Sequence, residues 1–154
     1  MKHDGAATVS KPIHVSLVAI PDAVISTLSG IFDVINGPSL LPRSGQEPPL
    51  RPFSVEIVGL QSGPLELASR VPVNVHRSIA DIDSTGIVIV PSILLGPEGW
   101  QKGRHPALVE WCHAMHSRGA LLCSACSGIF LLAETGLFDD VDATVHYGYA
   151  GAFA

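Results

Sequence analysis

The stretch Gly119-Ala-Leu-Leu-Cys123-Ser-Ala-Cys126-Ser-Gly128-Ile-Phe-Leu-Leu-Ala133-Glu-Thr-Gly136 sets the reading of the whole chain. Ala120 to Cys123 is a short apolar run of the kind that forms a buried strand. Small residues follow, Ser124 to Gly128, and then an apolar run from Ile129 to Ala133 that Gly136 stops as a helix. A strand that meets a helix through one tight turn of small residues is a nucleophile-elbow pattern, with Cys126 at its tip. Ser127 and Gly128 leave the backbone room to bend sharply. At a helix N-terminus the dipole and the unpaired N–H groups favour a thiolate. The competing reading is a plain packing cysteine, since cysteine is among the most buried residue types. Cys123-Ser-Ala-Cys126 also has the spacing of a redox pair. A strand carrying Cys123 and a turn carrying Cys126 would, however, face the two thiols in different directions.

Outward from the elbow, apolar strands alternate with helical patterns. Ile13 to Ile20 reads as a buried strand ended by Pro21-Asp22. Asp22 can cap a helix whose apolar positions are Val24, Ile25, Leu28, Ile31, Phe32 and Ile35, with Asn36-Gly37-Pro38 as its stop. Ser39 to Pro52 reads as a Pro- and Gly-rich surface connector. Phe53 to Leu60 is a second strand, Gln61 to Ser69 a turn with a short extended piece, and Val71 to Val75 another extended piece. Ile79 to Ile82 is long enough for one helical turn, and Gly86 to Val90 is a third apolar strand ended by Pro91-Ser92. Pro106 suits the first position of a helix that buries Leu108, Trp111, Cys112 and Met115 and closes at Arg118-Gly119. Beyond the elbow helix, Ala143 to Val145 reads as a short strand and Tyr147 to Ala154 as the start of a further helix.

Strands alternating with helices give parallel βαβ units, so the fold class is α/β. In open α/β sheets, sites form at the carboxyl ends of the strands. The turns after Ile20, Val90, Cys123 and Val145 share that edge, where Cys126 and His146 can meet. This is the one pair with catalytic chemistry, because an imidazole in reach of a thiol can draw off its proton. The alternative is that His146 only ends a strand and bonds the backbone. Cys112-His113-Ala-Met-His116 lacks a second ligand cluster, so it reads as an exposed histidine pair rather than a metal site.

The bulk properties restrict the function classes. A chain of 154 residues with 47% hydrophobic and 15% charged residues suits one domain with a sizeable core. A net charge of −5 and no basic helix argue against a nucleic-acid surface in this segment. No apolar run approaches the ~20 residues of a membrane span, and the polar stretch Met1 to Lys11 has no signal-peptide core. Three cysteines do not make a disulfide framework and suggest a reducing cytoplasm. Neither a metal nor a cofactor is expected.

Cys126-Ser-Gly-Ile-Phe-Leu-Leu-Ala-Glu-Thr-Gly-Leu-Phe-Asp-Asp-Val-Asp-Ala-Thr-Val-His146-Tyr147 resembles a signature of the ThiJ/PfpI superfamily. That signature runs Cys-Thr/Ser-Gly-x-Phe-x-Leu-Ala-x-x-Gly-Leu-Leu-Asp-Gly-x-x-Ala-Thr-x-His-Trp. With Phe130, Leu132 and Ala133 it looks most like the N-terminal sensor domain of GlxA-type AraC-family transcription regulators. The resemblance implies a class I glutamine amidotransferase-like fold, a flavodoxin-like three-layer sandwich with a mostly parallel sheet, over residues 13–154 after a flexible N-terminus of residues 1–12. It also implies a further strand and helix, and then two helix-turn-helix units, beyond Ala154. The domain is therefore expected to be C-terminally incomplete, with DNA binding left to the missing part.

Enzymes of the superfamily carry an acid near the cysteine, and that position falls at Thr27, which cannot share a proton as a carboxylate does. Many also carry Gly-Gly after the strand that ends here at Pro91, where N–H groups form an oxyanion hole; here Ser92-Ile93 stand instead. Smaller departures are Phe138, Asp140 and Tyr147. The resemblance thus implies a domain that senses a small, amine- or amide-containing metabolite and forms homodimers, with Thr27, Ser92, Ile93, Cys126, Ser127, His146 and Tyr147 at the ligand. The alternative it carries is an isocyanide hydratase, amidase or glyoxalase-like enzyme with Cys126 as nucleophile and His146 beside it. A purely structural dimerisation module is the third.

Overall fold

The computed structural model of the chain describes residues 11–40, 52–139 and 141–153. The expected flexible N-terminus, up to its last two residues, and the connector between Leu40 and Pro52 lie outside the described residues. The central sheet has five parallel strands: β1 (Ile13–Val18), β2 (Phe53–Gly59), β5 (Arg77–Ser78), β6 (Ile87–Val90) and β7 (Leu121–Ser124), in the order β5-β2-β1-β6-β7. A separate antiparallel hairpin joins β3 (Gly63–Glu66) to β4 (Pro72–Val75). The hairpin is tied to the sheet where the Ala68 N–H donates to the Pro21 carbonyl at 2.7 Å.

Helix α1 (Ile25–Leu40) links β1 to β2, and α2 (Pro106–Ser117) links β6 to β7. The two crossovers run toward opposite edges of the sheet, so right-handed connections place α1 and α2 on opposite faces. Helix α3 (Ile129–Ala133) follows the elbow and packs on α2, β6 and β7. The result is a flavodoxin-like α/β sandwich of three layers. The core joins Leu17, Val18, Val58, Val88 and Val90 of the sheet to Leu28 of α1, to Leu108, Cys112 and Met115 of α2, and to Leu131 and Leu132 of α3. Each such leucine or methionine contributes about 1.5–3 kcal/mol by leaving water.

Several local expectations are corrected. Helix α1 runs through Asn36-Gly37-Pro38 to Leu40 instead of stopping there. Proline restricts the residue before it by clashing with that residue's Cβ. Gly37 has none, and Pro38 is close enough to the helix end to forfeit a single backbone bond. The Ser39 hydroxyl then donates to the Asn36 carbonyl at 2.7 Å and helps satisfy that last turn. Ala143 to Val145 forms no strand. Strand β5 has two residues, too short for any periodicity to announce. Finally, among the described residues β7 comes last in the strand order, and one of its faces is open. Leu121, opposite Ile87, is 65% exposed, and Cys123, opposite Ile89, is exposed as well. Helices α2 and α3 cover only the other face of this strand.

Candidate functional site at the Cys126 elbow

Strand β7 ends at Ser124, and the Ala125 N–H donates to the Val90 carbonyl at 2.9 Å, so the two parallel strands leave the sheet together. The chain then turns through Cys126, whose φ of 48° is left-handed. That conformation costs a residue with a Cβ about 1–2 kcal/mol, and the contacts of the next two residues hold it. Ser127, 3% exposed, donates from Oγ to the Ile93 carbonyl at 2.7 Å and accepts from the Ile93 N–H at 2.9 Å. Gly128 lies so close to β6 that a Cβ there would stand 2.5 Å from the Pro91 carbonyl oxygen and 2.6 Å from that of Val90. The small residues after Cys126 are thus explained by docking: one bonds the loop after β6, and the other lets the backbone touch it. A single 3-10 turn, Cys126–Gly128, leads into α3 of five residues. So short a helix aligns few peptide dipoles, and its field at Cys126 is correspondingly modest.

Cys126 is exposed and borders a cavity of about 480 Å³ at the carboxyl edge of the sheet. His146 lines the same cavity, with Ile129, Phe138, Asp142 and Thr144 around them. The sheet edge and the irregular segment after Gly136 therefore bring the thiol and the imidazole to one place. Among the described residues, no hydrogen bond joins the two. Instead the Gly148 N–H donates to His146 Nδ1 at 3.1 Å, which caps the 3-10 turn Tyr147–Tyr149. A neutral imidazole has one lone pair for accepting. Here it is engaged by the backbone, and Nε2 is left as a donor. In this arrangement His146 can hold a ligand's acceptor atom but has no free lone pair for the Cys126 proton.

The other residues singled out in the sequence lie outside the cavity wall. Thr27 is half-buried in α1, where its hydroxyl donates to the Val24 carbonyl at 2.9 Å. Ser92 is buried beneath the elbow, its Oγ 3.4 Å from the Ala125 carbonyl. Ile93 is buried and pairs with Ala23, and its N–H is taken by Ser127. Tyr147 is 88% exposed and its ring lies tilted against that of His146, with centroids 4.5 Å apart. Asp142 is the carboxylate that sequence reasoning did not place at the cavity. Its signal was its position within the quoted motif, four residues before His146.

Of the other two cysteines, Cys112 differs sharply from Cys126, whereas Cys123 is exposed as Cys126 is. Cys112 is fully buried in α2, and burial pushes its thiol up to about 12. Cys123 lies exposed on β7, while His113 and His116 are exposed on α2, away from the buried side of Cys112.

No family model matches the chain, and no curated protein matches its sequence. Solved structures do match. A protein described as a transcriptional regulator from Vibrio parahaemolyticus superimposes with a TM-score of 0.72 at 22% identity, over 93% of this chain and 71% of that one. An AraC-family transcriptional regulator from Pseudomonas putida gives 0.67 at 16% identity, over 92% and 71%. A ThiJ/PfpI family protein from Pseudomonas syringae gives 0.60 at 15% identity, over 84% and 48%. Among the described residues, no helix is long and apolar enough to cross a membrane. The resemblance seen in the elbow motif is thereby matched in three dimensions: the fold is that of ThiJ/PfpI proteins, shared with AraC-family regulators.

Proposed function

We propose that this chain is the ligand-sensing and dimerising domain of an AraC-family transcriptional regulator, with a small amine- or amide-containing metabolite bound at the cavity between Cys126 and His146. The observation that carries the reading is the state of His146. Its Nδ1 accepts from the Gly148 N–H, which supports a ligand-contacting role for His146 over that of a base toward Cys126. The Ile93 N–H, a candidate oxyanion donor, is likewise taken by Ser127. Specific DNA binding belongs to helix-turn-helix units elsewhere in the protein, in the cytoplasm, and a net charge of −5 supports the expectation that this segment alone does not bind DNA specifically. The test is thermal denaturation against a panel of small amines and amides. A saturable rise in Tm that His146→Phe abolishes supports the reading.

Asp142 favours a second reading. A carboxylate, an imidazole and a thiol border one cavity, and a ligand that displaced the Gly148 contact would free His146 as a base for an amidase or hydratase. Turnover of isocyanides, glyoxals or simple amides that is lost in Cys126→Ala and kept in Cys123→Ala would establish the enzyme and overturn the sensor. Thiol labelling bears on both readings. Cys126 should alkylate at least tenfold faster than Cys112, whose burial removes both access and thiolate. Equal rates would mean that the elbow is not open to solution.

A further inference from the structure

A second cavity, of about 490 Å³, opens at the opposite, amino edge of the sheet, beside the starts of β1, β2 and β6. Lys11, His14, Ser54, Arg77, Ser84 and Thr85 line it. Its polar wall is built by three strands and a turn. His14 lies between two partners, with Nδ1 2.9 Å from the Thr85 hydroxyl and Nε2 3.0 Å from Glu56 Oε2. Ser16, buried in β1, donates to the same Thr85 hydroxyl at 3.1 Å and anchors the network to the core.

Charge is out of balance there. Glu56 is the carboxylate that touches this wall, and the same oxygen that meets His14 is also 3.0 Å from Arg77 Nε. Arg77 Nε is buried and sits off the line of a hydrogen bond, so the contact is an attraction of charges without a formed bond. Among the described residues, two permanent cations, Lys11 and Arg77, thus face the cavity against one carboxylate that is already shared with an imidazole. Among the described residues, neither the Lys11 ammonium nor the terminal nitrogens of Arg77 have a hydrogen-bond partner. A guanidinium fork held from behind, with an ammonium and the hydroxyls of Ser54 and Ser84 around the same space, matches the donor pattern of an oxyanion.

We propose that this amino-edge cavity binds the oxyanion group, phosphate or carboxylate, of a small molecule. It is a second ligand site, on the far side of the sheet from Cys126 and independent of it. Arg77 and Lys11 supply the charge, and the His14–Glu56 pair holds the guanidinium in place.

The test titrates the intact chain with inorganic phosphate and, separately, with acetate, against chloride at matched ionic strength, following backbone amide shifts by NMR. Saturable shifts at Ser84, Thr85 and Gly86, with none at Cys126, are expected, and the stronger of the two anions identifies the headgroup. Arg77→Gln should weaken binding about tenfold, the loss of one charge-assisted contact, and Arg77→Lys should recover part of it. Lys11→Gln, at the chain's polar edge, provides a second variant should Arg77 changes disturb folding. Shifts that chloride reproduces, or that survive unchanged in folded Arg77→Gln and Lys11→Gln, would mean an adventitious ion only and would overturn the proposal.

Discussion

The two cavities differ in how they are held, although they have nearly the same size, about 480 Å³ at the carboxyl edge and 490 Å³ at the amino edge. At the carboxyl edge the reactive groups come from the backbone path. Cys126 is where it is because Ser127 and Gly128 are locked onto Val90, Pro91 and Ile93. At the amino edge the backbone is ordinary parallel sheet, and side chains do the holding: Ser16, Thr85, His14, Glu56 and Arg77 form one chain of contacts across three strands and a loop. A site fixed by backbone docking tolerates little change in its small residues. A site fixed by half-exposed side chains tolerates more, because water can replace a lost partner.

Gly128→Ala should show the largest effect. The added methyl would meet two carbonyl oxygens at 2.5 and 2.6 Å, and neither belongs to a flexible side chain. Overpacking of this kind costs about 1–3 kcal/mol, and more where backbone must move. A loss of about 3 kcal/mol in urea denaturation is expected, together with altered labelling of Cys126. A loss below about 0.5 kcal/mol would show that the elbow is not locked against β6.

Ser127→Ala comes next. It strands both the N–H and the carbonyl of buried Ile93, and an unsatisfied buried polar group costs about 1–3 kcal/mol. Glu56→Gln, at the other cavity, should cost no more than about 1 kcal/mol, since its partners His14 and Arg77 are 24% and 41% exposed and screened by water. If Glu56→Gln destabilised the chain as much as Ser127→Ala, the contrast between the two edges would fail.

The same contrast explains what the sequence made legible. The elbow could be read because strand, small residues and helix are adjacent in the chain, so local pattern carries the geometry. Helix α2 was equally plain, with Pro106 at its start and Leu108, Trp111, Cys112 and Met115 on its buried side. The amino-edge network joins His14 to Thr85, 71 positions apart, and to Glu56, 42 apart. No spacing rule links such residues, and only the register of β1 against β2 and β6 brings them together. Asp142 and the failed strand at Ala143 to Val145 were hidden for a related reason. Three apolar or β-branched residues look like a strand, but a strand needs a neighbour to pair with, and sequence does not show one. That Cys126 and His146 border one cavity was legible as a shared edge, whereas the Gly148 contact of His146 was not.

The smallest expected effect concerns the segment from Trp100 to His105, which lies between the end of β6 and the start of α2. Glu134, at the end of α3, accepts from the Trp100 indole N–H at 2.7 Å and from the Gly103 N–H at 2.9 Å, and Arg104 bonds Asp22 at 2.6 Å. His105 ends this segment, 10% exposed, with its Nε2 buried and unbonded 4.0 Å from Asp22. Burial holds its imidazole below the ordinary 6.5, and neighbouring Arg104 acts in the same direction; Asp22 and Glu134 oppose them without prevailing. A histidine that binds its proton less readily when folded favours the unfolded chain as protons are added. Its contribution to stability is complete above about 6.5 and is lost as pH falls from there through the lowered folded value. His105→Gln should therefore flatten the decline of unfolding free energy between neutral pH and about pH 5, while stability at neutral pH changes little. The measurement is a set of urea transitions across that range for both proteins, since subtracting one curve from the other cancels the remaining histidines. If the two curves ran parallel, His105 would not be the group whose burial sets the slope. If the variant's curve were the steeper, the carboxylates of Asp22 and Glu134 would outweigh burial, and the segment would be held by a charged His105 instead of a neutral one.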